Sequence, residues 1–185
     1  MAIHGNHVAL TPEEVELLLA HVDVSISQSE YEAEEDYSDN AVCFLLRDFA
    51  DERYRTGQLQ FVAEVDGSID VLHRCLTNGT MTASSKYYPF NKVVAGKQLY
   101  EEGFLVFFVT RQEVADIAAA LANIDPDELK SRYPALKETD YCKYMQEEYM
   151  REDEDEWMVV YFLRLREFYQ NAAKAERPAA HYIAL

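Results

Sequence analysis

The chain has 185 residues, 49% of them hydrophobic and 12% aromatic, and carries a formal net charge of −17 at pH 7. This length and apolar content predict a single globular domain over residues 1–185 and exclude a disordered chain. No run of about 18 apolar residues and no basic-then-apolar leader is present, which argues against a membrane-bound or secreted protein. The strong acidity argues against nucleic acid as a partner, because phosphate contacts need a basic face.

Cysteine usage indicates a reducing compartment. Cys43, Cys75 and Cys142 are odd in number, far apart and without a CxxC pair. This pattern argues against a disulfide framework or a zinc site, and it predicts a cytoplasmic location.

The first half of the chain predicts two strands and three helices. Thr11, Pro12 and Glu14 are typical of a helix start, because Thr11 and Glu14 can form a capping box and proline suits the first helical position. The predicted elements are strands at 3–10 and 59–65 and helices from Thr11, at 41–55 and at 69–76, the last stopped by Asn78-Gly79.

In the second half, residues 80–98 predict mainly a loop. The segment 104–109 (FLVFFV) is apolar throughout, which predicts a strand buried on both faces. Helices are predicted at 114–122, from Asp125 to near Pro134 and from Asp153 to about Glu176, and a closing strand at 179–185. We therefore expect an α/β (mixed α+β) domain, with a small mixed sheet of about four strands packed by five or six helices.

The acidic residues are concentrated in two short windows. Residues 30–39 contain six carboxylates and no basic residue, and residues 147–156 contain seven carboxylates and one arginine, so together they carry −12 of the formal −17. The first window falls in a predicted acidic loop at about 25–40, and the second lies at a helix start, where carboxylates complement the helix dipole.

Tyrosines lie among these carboxylates, as is common at protein interfaces. The pattern favours binding of a basic protein partner, although the charge could equally serve only to solvate one side of the domain. The candidate partner-binding residues are Tyr31, Glu32, Glu34, Glu35, Asp36, Tyr37, Asp153, Glu154, Asp155 and Glu156.

One cluster contains residue types that could carry chemistry. His73 could act as a general acid/base, with Cys75 or Thr77 as a nucleophile, in a pocket that also includes Asn78. The alternative is structural: Asn78-Gly79 ends the helix, Cys75 packs, and His73 is buried and bonded to the protein. We expect the structural role, because no oxyanion site can be identified and residues 73 and 75 point to different sides of a helix.

The sequence predicts no metal and no cofactor. His4 and His7 fall on opposite faces of a strand, and His21 and His181 cannot be placed near them. The run 153–156 lacks the glycine and the ligand spacing of a calcium loop, and no phosphate-binding or nucleophile-elbow motif occurs.

Four segments together resemble the YfbM-like bacterial family, a domain of unknown function (number 1877). They are SIDVLHRCLT (68–77), VTRQEV (109–114), AALANID (119–125) and FLRLREFY (162–169). The similarity spans about residues 59–185 and implies a compact cytoplasmic bacterial α/β domain, with no agreed activity or catalytic residues. The first 58 residues, including the acidic loop, are not matched by it.

Three functions from different classes follow. The first is an immunity-type interaction protein that binds and neutralises a basic toxin or effector. The second is a small-molecule enzyme or metabolite-binding protein with a pocket near His73, Thr77 and Asn78. The third is a purely structural or regulatory subunit. The absence of a catalytic motif favours the first.

Overall fold

The computed structural model describes residues 4–28, 41–65, 68–78, 85–94, 97–100, 104–137 and 153–184. Their centre is a five-stranded sheet in the order β2-β1-β5-β4-β3, in which every described pairing is antiparallel. The strands are β1 (His4–Ala9), β2 (Val62–Val65), β3 (Lys97–Tyr100), β4 (Phe104–Val109) and β5 (Ala179–Ala184).

Six α-helices accompany this sheet in the described part of the chain. They are α1 (Pro12–Gln28), α2 (Ala41–Thr56), α3 (Ser68–Leu76), α4 (Arg111–Ala122), α5 (Pro126–Lys137) and α6 (Glu154–Lys174). The predicted capping box of α1 is confirmed, since the Thr11 amide donates to Glu14 Oε2 at 2.7 Å and the Glu14 amide donates to Thr11 Oγ1 at 3.3 Å. Thr110 and Glu113 form the same arrangement at the start of α4.

The helices cover both faces of the sheet. Val8, Val106 and Ala180 belong to a buried cluster with α1 and α2, whereas their strand neighbours Ala9 and Phe107 belong to a larger cluster with α3, α4, α5 and α6. Alternate residues along each strand thus enter opposite cores, which makes the domain a helix–sheet–helix arrangement. None of the described helices is long and apolar enough to cross a membrane.

The prediction of a two-sided buried strand at 104–109 is confirmed. In β4, Val106 and Val109 are fully buried and Phe107 is nearly so, and the strand lies between β5 and β3. The middle of the sheet is β5, whose Ala179 and Ala180 are both fully buried.

Three elements differ from the sequence prediction. β3 begins at the end of the predicted loop, because this four-residue edge strand with a register shift between Gln98 and Tyr100 is too short for a period-2 pattern. Residues Leu59–Phe61 form a 3₁₀ turn, which delays β2 to Val62. α5 continues through the exposed Pro134 to Lys137, because Leu129, Tyr133 and Leu136 anchor it in the core.

Candidate functional site

An open groove of about 390 Å³ lies beside the edge strand β2. Its lining comes from the end of α2, the 3₁₀ turn, β2 and the second half of α6. Among the described residues it is lined by Tyr54, Leu59, Gln60, Val62, Ala63, Glu64, Arg164, Glu167 and Phe168.

The groove follows the backbone edge of β2. Side chains of successive strand residues point to opposite faces of a sheet, yet Val62, Ala63 and Glu64 all line the same cavity. A cavity that touches three successive residues must touch the strand edge itself. Because α2 lies on one face of the sheet and α6 on the other, the groove is bounded by one helix on each side of that edge.

Apolar side chains are exposed along this groove. Tyr54 is 44% exposed and Leu59 is 57% exposed, while Phe168 is buried at the base. Val160 and Leu163 are also exposed, and together with Arg164 and Glu167 they have the spacing of one helical stripe on α6. Exposed apolar residues gathered beside a cavity, with charged neighbours, are typical of a binding surface.

The charged groups of the groove are two carboxylates and one guanidinium. Among the described residues, neither Glu64 nor Glu167 forms a salt bridge, and the Arg164 guanidinium carbon lies 5.3 Å from the centre of the Tyr161 ring. Partial burial raises the pKa of Tyr54, and the negative charge of Glu64 raises it further. Tyr54 therefore remains a neutral hydrogen-bond donor at the groove, and both carboxylates remain available to a cation.

In the described part of the second acidic window, residues 153–156, one carboxylate is less exposed than predicted. Glu154 is only 5% exposed, so the expectation that it faces solvent is wrong. The physical reason is that the first turn of α6 packs beside α5, where the positive end of the helix dipole favours a buried carboxylate. Lys130 Nζ of α5 also lies 3.4 Å from Asp155 Oδ2 and 3.7 Å from Glu156 Oε1. Its charge offsets part of the negative charge of residues 153–156.

Among residues 153–156, two carboxylates do face solvent. Asp153 and Glu156 are exposed, and Asp153 Oδ2 accepts a hydrogen bond from Trp157 Nε1 at 3.1 Å. The first window lies outside the described residues, and with it the candidates Tyr31, Glu32, Glu34, Glu35, Asp36 and Tyr37.

The alternative pocket residues lie mainly in the interior. His73 is buried, as predicted, and Thr77 is fully buried with its hydroxyl donating to the His73 carbonyl oxygen at 2.7 Å. Asn78 is exposed and has a φ of 53°, the left-handed conformation that ends a helix. None of the three lines the groove at β2. This arrangement serves to end α3 and offers a substrate no access to either buried side chain.

The structure also contains a buried histidine pair that the sequence did not predict. His7 of β1 and His181 of β5 are directly paired in register, and their rings stack with centroids 4.4 Å apart. His7 Nε2 lies 2.9 Å from the Val93 carbonyl oxygen, and His181 Nε2 bonds to the Val94 carbonyl oxygen. A carbonyl oxygen only accepts, so each Nε2 carries a proton.

Burial keeps this pair uncharged. Burial lowers the pKa of His7 to about 4, and the hydrogen bond to the Val93 carbonyl opposes this shift only weakly. Burial also holds the pKa of His181 well below its usual range, and the charges of His7 and His73 lower it further. Phe107, Phe168 and Tyr169 surround the rings. The pair is therefore a part of the core with no route to solvent.

Within the described segments, no group of three or more histidine, cysteine or acidic side chains is arranged to hold a metal ion. Cys43 and Cys75 are both buried. Burial raises the pKa of the Cys43 thiol to about 11, which keeps it protonated and poorly nucleophilic. Neither cysteine is suited to be a catalytic nucleophile.

Comparison with known proteins places this arrangement in a family. The crystal structure of YfbM from Escherichia coli, a protein of unknown function, superposes with a TM-score of 0.56 at 15% identity, covering 97% of this chain and 99% of that one. At this identity the likeness concerns the fold alone. No curated protein matches the chain. The model of a domain of unknown function, DUF1877, matches residues 1–182, so the similarity also includes the first 58 residues that the sequence motifs left out. The chain belongs to the DUF1877 family.

Proposed function

We propose that this protein is an acidic interaction protein that binds a basic segment of a protein partner in the groove beside β2. The observation that carries the proposal is the groove itself, where exposed Tyr54 and Leu59 adjoin two carboxylates that pair with no described cation. Aromatic and apolar side chains supply contact area, and unpaired carboxylates at the edge select for positive charge.

The charge of the whole chain supports the same partner chemistry. A net charge of −17 attracts a basic protein over a distance and raises its association rate at low salt. Asp153 and Glu156 at the start of α6 and Glu34, Glu35 and Asp36 of the first window would contribute to this attraction. Tyr31 and Tyr37 would act after encounter, by slowing dissociation.

The specific role that we propose is that of a cytoplasmic immunity-type protein, which neutralises a basic toxin or effector by occupying its surface. The acidity of the chain and the form of the groove support this role. The alternative, a small-molecule enzyme or metabolite-binding protein with a pocket near His73, Thr77 and Asn78, is less well supported because His73 and Thr77 are buried.

A site-specific cross-link tests the proposal. A photoreactive amino acid at Leu59 should capture the partner in cells that produce the native protein. The same group at Leu19, which is similarly exposed but lies on α1, is the matched control. We expect a basic protein to cross-link from position 59 and not from position 19. Equal capture from both positions, or capture of acidic proteins only, would contradict the proposal.

A further inference from the structure

We propose that the groove binds its partner by strand addition: an extended basic segment pairs with the free edge of β2 and becomes the sixth strand of the sheet. This inference rests on the proposed function and specifies how the groove works. It follows from three observations, namely the position of β2 in the sheet, the placement of α2 and α6 beside it, and the charge of the groove.

The first observation is that β2 is an edge strand. In the described sheet, β2 is hydrogen-bonded to β1 along one side, with Val62 opposite Val8 and Val65 opposite Gly5. No described strand pairs with its other side. The groove touches Val62, Ala63 and Glu64 in succession, and hence touches the backbone edge that faces away from β1. Backbone donors and acceptors on a strand edge form a template for one more strand.

The second observation is that the groove has the form of a gap between two layers. Tyr54 of α2 stands on one side of the edge, and Arg164, Glu167 and Phe168 of α6 stand on the other. A strand added to β2 would lie about 4.8 Å beyond it, and its alternate side chains would point toward α2 and toward α6 in turn. The two helices would therefore cover both faces of the added strand, as they cover the strands already present.

The third observation gives the chemistry of the added segment. Glu64 lies on the same face of β2 as Val62, which packs with α2, so side chains that point toward α2 meet the Tyr54 ring and the Glu64 carboxylate. A lysine or arginine suits these positions, because its aliphatic stem can lie on the ring while its charge reaches the carboxylate. Side chains that point toward α6 meet the ring of Phe168, beside which Glu167 and Arg164 carry opposite charges, and this favours apolar residues there. The segment that fits best alternates basic and apolar residues.

The same charges argue against a second copy of this chain as the occupant. Pairing β2 with β2 of another copy would bring the Glu64 and Glu167 carboxylates of both copies into one gap, and each copy carries a net charge of −17. Like charges at such short range oppose association. A basic segment of another protein meets two carboxylates against the single guanidinium of Arg164.

The experiment uses a synthetic eight-residue peptide of alternating lysine and valine, acetylated and amidated, with the full-length protein. Amide hydrogen exchange of Val62–Val65 reports main-chain pairing, and fluorescence anisotropy reports affinity. At saturation we expect exchange of the outward-facing amides of β2 to slow by about tenfold or more. An alternating glutamate–valine peptide should bind at least about tenfold more weakly. A backbone-ester analogue of the lysine peptide, which keeps every side chain but lacks the pairing N–H groups, should also lose about tenfold or more.

Glu64→Lys should weaken binding of the lysine peptide, whereas Glu16→Lys on α1, also an exposed position with the same charge change, should weaken it much less. Unchanged exchange of β2 on peptide addition, or equal affinity of the ester analogue, would overturn the strand-addition proposal. So would β2 amides that are already protected in the free protein, because another segment or a second copy would then occupy the edge. If a native basic partner is captured from position 59 but amide exchange of β2 does not slow, strand addition is disproved and the proposed function stands. If the peptide slows amide exchange of β2 but no basic partner is captured, the proposed function is disproved and strand addition stands.

Discussion

His7 and His181 stack face to face at 4.4 Å across the β1–β5 pair, with an angle of 17° between their rings, and both are fully inaccessible to solvent. Each can keep its hydrogen bond to a carbonyl of Val93 or Val94 while neutral, and neither can be protonated without placing a charge in the core. The core of this protein therefore depends on two histidines remaining neutral.

A loss of stability in acid follows from this pair. The pKa of His7 is lowered from 6.5 to about 4 in the folded state, so the unfolded chain binds more protons than the folded chain between these values. The contribution of His7 is thus fully present above about pH 6.5 and is lost as pH falls from about 6.5 to about 4, by about 3 kcal/mol in total. The pKa of His181 is lowered as well, so its contribution to stability also declines in acid.

Urea unfolding at several pH values between about 7 and 4 measures this effect. The double variant His7→Gln/His181→Gln should be less stable near neutral pH but should lose less stability on acidification than the native protein. His21→Gln on α1, outside the pair, is the matched control. A double variant with the same pH dependence as the native protein would show that other groups, such as the carboxylates, account for it.

Truncation of Phe107 should reveal the contribution of β4 to the core. The Phe107 ring is buried and its centre lies 5.0 Å from the centre of the His181 ring, so Phe107→Ala leaves a cavity beside the histidine pair. We expect a loss of about 3–5 kcal/mol in the free energy of unfolding. Phe44→Ala on α2, where the ring is largely exposed, should cost less than about 1 kcal/mol. Similar losses for both variants would contradict the burial of β4.

Two arginines of α2 form ion pairs of equal length and different burial. Arg53 Nη2 lies 2.6 Å from Glu14 Oε2 with its side chain 5% exposed, and Arg55 Nη2 lies 2.6 Å from Glu52 Oε2 with its side chain 72% exposed. Arg53 also donates to the Ala9 carbonyl oxygen, which ties α2 to β1 and α1. Arg53→Ala should cost about 3 kcal/mol, because it removes the ion-pair partner of a Glu14 side chain that is only 16% exposed, whereas Arg55→Ala should cost much less. Chemical denaturation of the two variants checks this, and equal costs would disprove the role of burial.

The acidic start of α6 should respond to charge reversal in a position-dependent way. Glu154→Lys places a new charge in a buried position and should lower the free energy of unfolding by about 2 kcal/mol or more. Glu156→Lys loses only a long contact with Lys130 at an exposed position, and its cost should remain below about 1 kcal/mol. Thermal unfolding of both variants distinguishes these outcomes. A harmless Glu154→Lys would mean that this carboxylate faces solvent after all.

Local sequence signals predicted the helices well because their causes are local. The Thr11–Glu14 and Thr110–Glu113 capping boxes act over three residues and appear as expected. The uniform apolar character of β4 likewise reported its burial on both faces. By contrast, Glu154 looks like any other carboxylate in an acidic run, and only its packing near α5 buries it.

The site depends on contacts between distant parts of the chain, and for this reason the sequence did not predict it. Tyr54, Glu64 and Arg164 meet only after α2, β2 and α6 have assembled around the same sheet edge. The pairing of His7 with His181 likewise depends on a register between the first and last strands. Period-2 alternation could have placed each histidine on a face of its strand, but not opposite the other.

We propose that the groove beside β2, rather than acidity in general, binds a basic partner. The most direct measurement is the association rate of the partner captured from position 59 with two charge-matched variants, Glu64→Lys/Glu167→Lys in the groove and Glu13→Lys/Glu16→Lys on α1. At about 0.05 M salt the groove variant should associate about tenfold more slowly than the α1 variant, and the difference should shrink at about 0.5 M as screening increases. Equal association rates for the two variants at low salt would contradict the account, because the charge would then act only as a general property of the surface.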